Sequence, residues 1–347
     1  MPWALRLWTV FFLISFGLGY PTLNRLDPTR TQALRDSRPY FEMVRSGPAA
    51  NAGHWQYRLL VPMAARPIYL LARGHVESWN PVAFAMLVVN AAFTAATAAM
   101  MVAICGLLRV PVLAAVVAAF AYLLNFDVAN KHLAGLIDSA DTFFGFCLAF
   151  VLLAERPRLL PLIGILGAAT KETFVVTSTL FVAGWLWRRR GRSLSWAIAM
   201  AGLGLLTTYA IQCAIETRLI TPFDSLADMH RLAGFRDLLS DITAGLRSWN
   251  HWLTFIWLAP FAFYGRDIIP GEWKRATLSS VAGVILMAAW SRSLGQVARP
   301  IFDVAGPMLA VMFAVGLSVL FNRAGTKPDS AAARESAEDK QARAAKA

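Results

Sequence analysis

From Pro81 to Leu108 the sequence reads PVAFAMLVVNAAFTAATAAMMVAICGLL, without one charged side chain. A helix needs about 20 apolar residues to cross the hydrocarbon core of a bilayer, and this run supplies them. In lipid every backbone N–H and C=O must pair within the chain, so such a run is either a helix or a strand of a closed barrel. Barrel strands are short and alternate apolar with polar residues. This run is continuous, which selects the helix. Further apolar runs at 3–20, 111–126, 140–154, 159–187, 194–212, 249–264, 276–291 and 301–321 repeat the signal. Hydrophobic residues make up 57% of the 347 and charged residues only 16%, beyond the apolar share of soluble domains. The expected fold class is all-α: a polytopic transmembrane helix bundle of about ten crossings.

The formal net charge of +12 would point to nucleic acid in a soluble protein. Here cytoplasmic loops and anionic lipid headgroups account for it, so the expected partner is the bilayer and not a nucleic acid. Cys105, Cys147 and Cys213 lie far apart in or at the ends of apolar runs. They read as small hydrophobes, not as a disulfide framework or a zinc site. The first run is followed by no small-x-small cleavage site, so it is expected to stay as an uncleaved span.

Short basic loops set the orientation. Arg109, the pair Arg156 and Arg158, the cluster WRRRGR at 187–192 and the stretch YGRDIIPGEWKR at 264–275 should all face the cytoplasm. They do so together only if 159–187 crosses twice, as two short helices meeting near ATKETF. Both termini are then cytoplasmic in a multi-pass inner-membrane protein. The long loops 21–79 and 213–248 face the other side, the first being an extracytoplasmic loop. The stretch 57–73 is shorter, carries arginines and prolines, and is expected at the interface or dipping into the membrane. Residues 1–322 read as a single transmembrane domain. The tail 323–347 mixes charges with alanine, lacks an apolar face, and is expected to be disordered and cytoplasmic.

The unusual chemistry gathers on the proposed outer side. Arg35, Asp36, Arg38, Glu42, Arg45 and Arg58 belong to the first loop; Lys131, His132, Asp138 and Asp141 follow, then Arg292 and Arg299. Arginine forks suit phosphate oxygens, while any single arginine can equally pair with a local acid or snorkel to a headgroup. In GAATKETFVV, Lys171 and Glu172 interrupt an apolar stretch. A charge at membrane depth costs at least about 2.5–3.5 kcal/mol and marks a functional candidate. The bland alternative is a wet turn between two short helices. Being adjacent, the two side chains point apart and each needs its own partner. Asp138 and Asp141 share one helical face. Ser139 or Asp138 could cap the helix that begins there, which leaves one acid over. A metal needs more ligands than this spacing supplies. No cofactor is therefore assigned; a divalent metal is compatible with the sequence but not supported by it. No GxSxG, HExxH, Walker A, GxGxxG or CxxC pattern occurs, which argues against a soluble-type hydrolase, NTPase or nucleotide-cofactor enzyme.

With these pieces placed, the layout resembles the GT-C class of membrane glycosyltransferases, which use polyprenyl-phosphate-linked sugars. DSRPY supplies Asp36 and Tyr40, like the first-loop acid and following tyrosine of that class. YRLLVPMAA, through Tyr57, Arg58 and Pro62, is similar to a segment of the mannosyltransferases of the GPI-anchor pathway. Lys171 with Glu172, and Arg299 before Pro307, resemble a mid-chain Lys-Glu and a late Arg and Pro of uncharacterised bacterial members. The lone Asp36 departs from the acidic pair common in the class. The resemblance implies transfer of a sugar from a polyprenyl-phosphate donor to an extracytoplasmic acceptor. Asp36 would be the general base, with Tyr40, Tyr57, Arg58, Asp138, Asp141, Lys171, Glu172 and Arg299 as substrate-binding candidates. A general base contributes about 10²–10⁴-fold, and cations must hold the departing phosphate. Two other readings stay open: a transporter or flippase of lipid-linked anions, and a non-catalytic membrane assembly subunit.

Overall fold

A computed structural model of the chain describes residues 3–25, 37–48, 53–125, 128–187, 193–219, 258–291 and 298–325, with isolated positions between 240 and 247. Every regular element among the described residues is helical. In chain order these are α1 (Trp3–Gly19), α2 (Thr22–Arg25), α3 (Ser37–Ser46), α4 (Leu60–Ala72), α5 (Pro81–Leu107), α6 (Val112–Leu123), α7 (Asp138–Leu153), α8 (Leu160–Thr170), α9 (Thr173–Leu186), α10 (Ser193–Glu216), α11 (Ala259–Gly265), α12 (Gly271–Ser291) and α13 (Ala298–Gly325). Three segments, Pro81–Leu107, Ser193–Glu216 and Asp303–Asn322, are long and apolar enough to cross a membrane. Five further apolar helices are shorter, among them α1, α4 and α6.

The uncharged run that opens the sequence becomes α5, and the bundle is built around it. Asn80 starts it: its side chain accepts from the N–H of Val82 at 2.9 Å and of Ala83 at 3.4 Å, and Pro81 takes the first helical position. These residues suit a helix start, where N–H groups lack intrahelical partners. α1, α4, α6 and α7 all pack against α5. Ala85, Ala91, Ala95 and Ala98 are fully buried there, and small side chains let helices approach closely where lipid provides no hydrophobic drive between them. The indole of Trp8 ties α1 to this helix by donating to the Ala92 carbonyl at 3.2 Å.

The stretch 159–187 does break into two short helices, α8 and α9, parted at Lys171 and Glu172; both are shorter than the helices of membrane length. Lys171 adopts an extended backbone with φ −160° and ψ 128°, which ends α8. α10 lies along α8, and the two meet through small residues: a Cβ on Gly164 would stand 2.5 Å from the Met200 carbonyl oxygen, and one on Gly204 3.4 Å from that of Gly164. α12 covers α9, while α13 packs on α6, α7, α11 and α12.

The stretch expected at the interface forms α4 with Pro67 inside it. Of the expected run 249–264, only its last part is described, beginning at Leu258 and entering α11. The tail beyond 325 lies outside the described residues.

Candidate functional site

The site forms where the α8–α9 break meets the starts of α3 and α7. α3 is amphipathic: Ser37, Tyr40, Phe41 and Val44, one helical face, are buried together with Met43. Gly135 seats it. This residue has φ +87°, a left-handed turn that glycine adopts without steric cost. A Cβ there would lie 2.8 Å from the Phe41 ring and 3.6 Å from the Ser37 Cβ. The start of α3 therefore rests on the loop that leads into Asp138.

That loop is fixed from the other side by Asn90, a fully buried residue in the middle of α5. Its amide donates to the Leu136 carbonyl at 2.9 Å and accepts from the Ser139 hydroxyl at 2.6 Å. Ser139 is thus bonded to α5. The N-cap position of α7 is Ile137, with no side-chain cap bond. The capping role suggested for Ser139 or Asp138 is not the one they take, and both aspartates of the first turn are left for other partners.

Lys171 and Glu172 do point apart, each to its own partner. Glu172 receives the Arg58 guanidinium in a fork: Nε donates to Oε2 at 2.9 Å and Nη2 to Oε1 in parallel. Arg58 Nη1 donates to the Tyr40 hydroxyl at 3.1 Å. Burial alone would lower the guanidinium's pKa; the Glu172 carboxylate outweighs it, so the pKa lies above its ordinary value. Burial raises the Tyr40 phenol, and Arg58 only partly offsets this, so Tyr40 faces the guanidinium as a neutral acceptor.

On the other side Lys171 Nζ reaches Asp138 Oδ1 at 3.2 Å and Asp141 Oδ2 at 3.6 Å. A third carboxylate joins them from a distant helix. Asp303, near the start of α13, has an oxygen within 4.8 Å of oxygens of both Asp138 and Asp141. Against Asp303 stands His132, on a single π-turn at Val128–His132, with Nε2 3.7 Å from Asp303 Oδ1. The His132 side chain is 1% exposed and that of Asp303 5%. Among the described residues, neither ring nitrogen of His132 and neither oxygen of Asp303 has a hydrogen-bond partner.

Of the candidates from sequence, Tyr40, Arg58, Asp138, Asp141, Lys171 and Glu172 are brought together in these two groups. Tyr57 is directed elsewhere: its hydroxyl donates to Glu216 at 2.8 Å, beside a bond from Gln56 to the same carboxylate, and this pair ties the turn before α4 to the end of α10. Asp36 and the side chain of Arg299 lie outside the described residues. In the first loop, Glu42 pairs locally with Arg45 at 3.2 Å. Sequence reading did not select Asp303, although the signal was present: a lone acid within an apolar run. His132 was noted only as part of a polar loop.

Fold and site together define an all-helical protein, among the described residues, with three helices of membrane length and a partly buried ionic cluster. The sequence matches no protein-family model, and no curated protein matches it.

Proposed function

We propose that this chain is a multi-pass membrane glycosyltransferase that moves a sugar from a polyprenyl-phosphate donor to an extracytoplasmic acceptor, with Asp36 as general base. In this reading both termini are cytoplasmic, the chain crosses an inner membrane about ten times, and the cluster opens to the outer surface. The observation that carries it is the convergence of Arg58 and Lys171, cations from segments far apart in sequence, beside the start of α3. Asp36 is one peptide bond from Ser37, the buried first residue of that helix. A base must sit near the cations that hold a departing phosphate, yet stay outside a bidentate pair that would weaken it as a base. Glu172 gives Arg58 a fixed orientation, and the Tyr40 hydroxyl holds the remaining arm of its fork. A donor phosphate would be read by Arg58 and Lys171, with Asp138 and Asp141 holding the ammonium in place.

The test is incubation of the purified protein with a panel of polyprenyl-phosphate sugars, reading release of the lipid phosphate. Asp36→Asn keeps the shape and removes the basic oxygen. Turnover should fall at least about a hundredfold with donor binding nearly unchanged; normal turnover in this variant ends the reading. One observation favours transport instead: the α8–α9 pair is a broken helix carrying charge at its break, the kind of element that builds transporter sites. Movement of a labelled polyprenyl phosphate across proteoliposomes, without chemical turnover, would select that alternative.

A further inference from the structure

The carboxylates of Asp138, Asp141 and Asp303 present oxygens within 4.8 Å of one another from two helices far apart in sequence. Lys171 is the cation in contact with the first two. Among the described residues that is one positive charge beside three clustered acids. Carboxylates held this close repel one another, and a further cation among them would relieve that repulsion. A second observation points to its nature. Among the described residues, both Asp303 oxygens lack a hydrogen-bond donor, and His132, almost wholly buried, aims Nε2 at Asp303 with no hydrogen bond to either ring nitrogen.

We infer that Asp138, Asp141 and Asp303 form a binding site for a hard divalent cation, of the Mg²⁺ or Mn²⁺ type, with His132 as a positioning residue behind Asp303. A doubly charged ion would relieve the repulsion among the three carboxylates. Carboxylates with completing waters are the donor set such ions take. Oxygens each about 2.1 Å from an octahedral ion lie about 3–4.2 Å apart, so small rotations of these side chains close the observed spacing. With one oxygen from each carboxylate an octahedral ion needs about three completing waters, whereas calcium, which takes about 6–8 oxygens, would need about three to five. His132, lying against Asp303, would orient that carboxylate as outer-shell partners do. Asp303 opens the apolar segment Asp303–Asn322, so the ion would sit at the end of that helix and not midway along it. Lys171 competes for the same oxygens. The cation site rests on these side chains alone, so glycosyl transfer can fail its test while the ion still binds.

The experiment is titration of the full chain in detergent, after treatment with chelator, with Mn²⁺ as the probe and loss of the free-ion electron paramagnetic resonance signal as the readout. Wild type should bind one Mn²⁺ per chain. Asp303→Asn should weaken binding at least about tenfold, and His132→Gln by about tenfold or more, the usual worth of an outer-shell partner. Lys171→Met removes the competing ammonium and should tighten binding, an effect that a misfolded variant cannot produce. Equal binding in wild type and Asp303→Asn, or a Lys171→Met variant that binds no tighter than wild type, overturns the site. Protons, not a metal, would then relieve the repulsion among the carboxylates.

Discussion

Two ionic groups meet at the break between α8 and α9, and they differ in balance. On one side a single guanidinium meets a single carboxylate in a two-bond fork, and a neutral phenol takes a further arm. On the other, among the described residues, one ammonium contacts two carboxylates and a third stands beside them. The first group is matched in charge and geometry, as a clamp between segments should be. The second gathers more acid than base among the described residues, and ionisable groups so clustered are candidates for a functional site. The comparison says that adjacent residues of one motif, Lys171 and Glu172, belong to different tasks.

The largest effect should come from breaking the matched side. Arg58→Ala strands Glu172 with no partner. Breaking a buried pair by removing one member costs about 3–5 kcal/mol, toward the lower end here because the Glu172 side chain keeps 26% of its exposure. Thermal unfolding in detergent should show this as a fall of several degrees. The double variant Arg58→Met with Glu172→Met should recover most of it, since apolar replacement of a whole pair is often neutral. A double variant as unstable as the single one would mean that the clamp is more than an ion pair.

Next in size is the seat of the mismatched side. Asn90→Ala removes the donor to Leu136 and the acceptor for Ser139, both inside the bundle. Each orphaned polar group costs about 1–3 kcal/mol. The loop before α7 should loosen, and hydrogen exchange at Asp138 and Ser139 should rise while that of α9 stays unchanged. Unaltered exchange at α7 would show that Gly135 and α3 hold the loop without Asn90.

Part of the clamp was legible in the sequence, because charge inside an apolar run is costly and marks a candidate. Lys171 and Glu172 announced both a helix break and two separate partners, and the break is where ATKETF lies. Asp138 and Asp141 shared a face by spacing alone. What spacing could not supply was the third dimension. Asp303 stands 162 positions beyond Asp141 in the chain, and nothing local links them. The Arg58–Glu172 fork likewise joins residues 114 apart, so Arg58 could be foreseen as a cation but not as one already held. The capping assignment failed for a long-range reason. Ser139 has two uses for its hydroxyl, a cap or a bond across to α5, and the choice depends on Asn90, which lies on another helix.

Tyr40→Phe separates the two roles of Arg58, anchoring α3 and meeting Glu172. The variant removes one hydrogen bond to a charged group while leaving the ring in its buried place. Because the fork with Glu172 remains, the expected loss is about 1 kcal/mol, a shift of a few degrees at most. A loss as large as that of Arg58→Ala would mean that the phenol, not the carboxylate, holds the guanidinium.

The smallest effect, with the opposite leaning, is expected at the mismatched side. Asp303→Asn removes one of three crowded carboxylates and keeps the side-chain volume. In a chelated sample the change relieves repulsion with Asp138 and Asp141. The amide can also donate to a neighbouring carboxylate, which the native side chain cannot do when ionised. Stability should therefore stay within about 1 kcal/mol of wild type or rise, whereas a buried ionised group with a true partner loses about 3–5 kcal/mol when the pair is broken. Unfolding temperatures of Asp303→Asn and Arg58→Ala, measured side by side in chelator, decide the matter by sign as well as size. If Asp303→Asn falls as far as Arg58→Ala, Asp303 has a partner as strong as a salt bridge, protonated His132 being the nearest. The contrast between a matched clamp and a surplus of acid would then dissolve into two clamps.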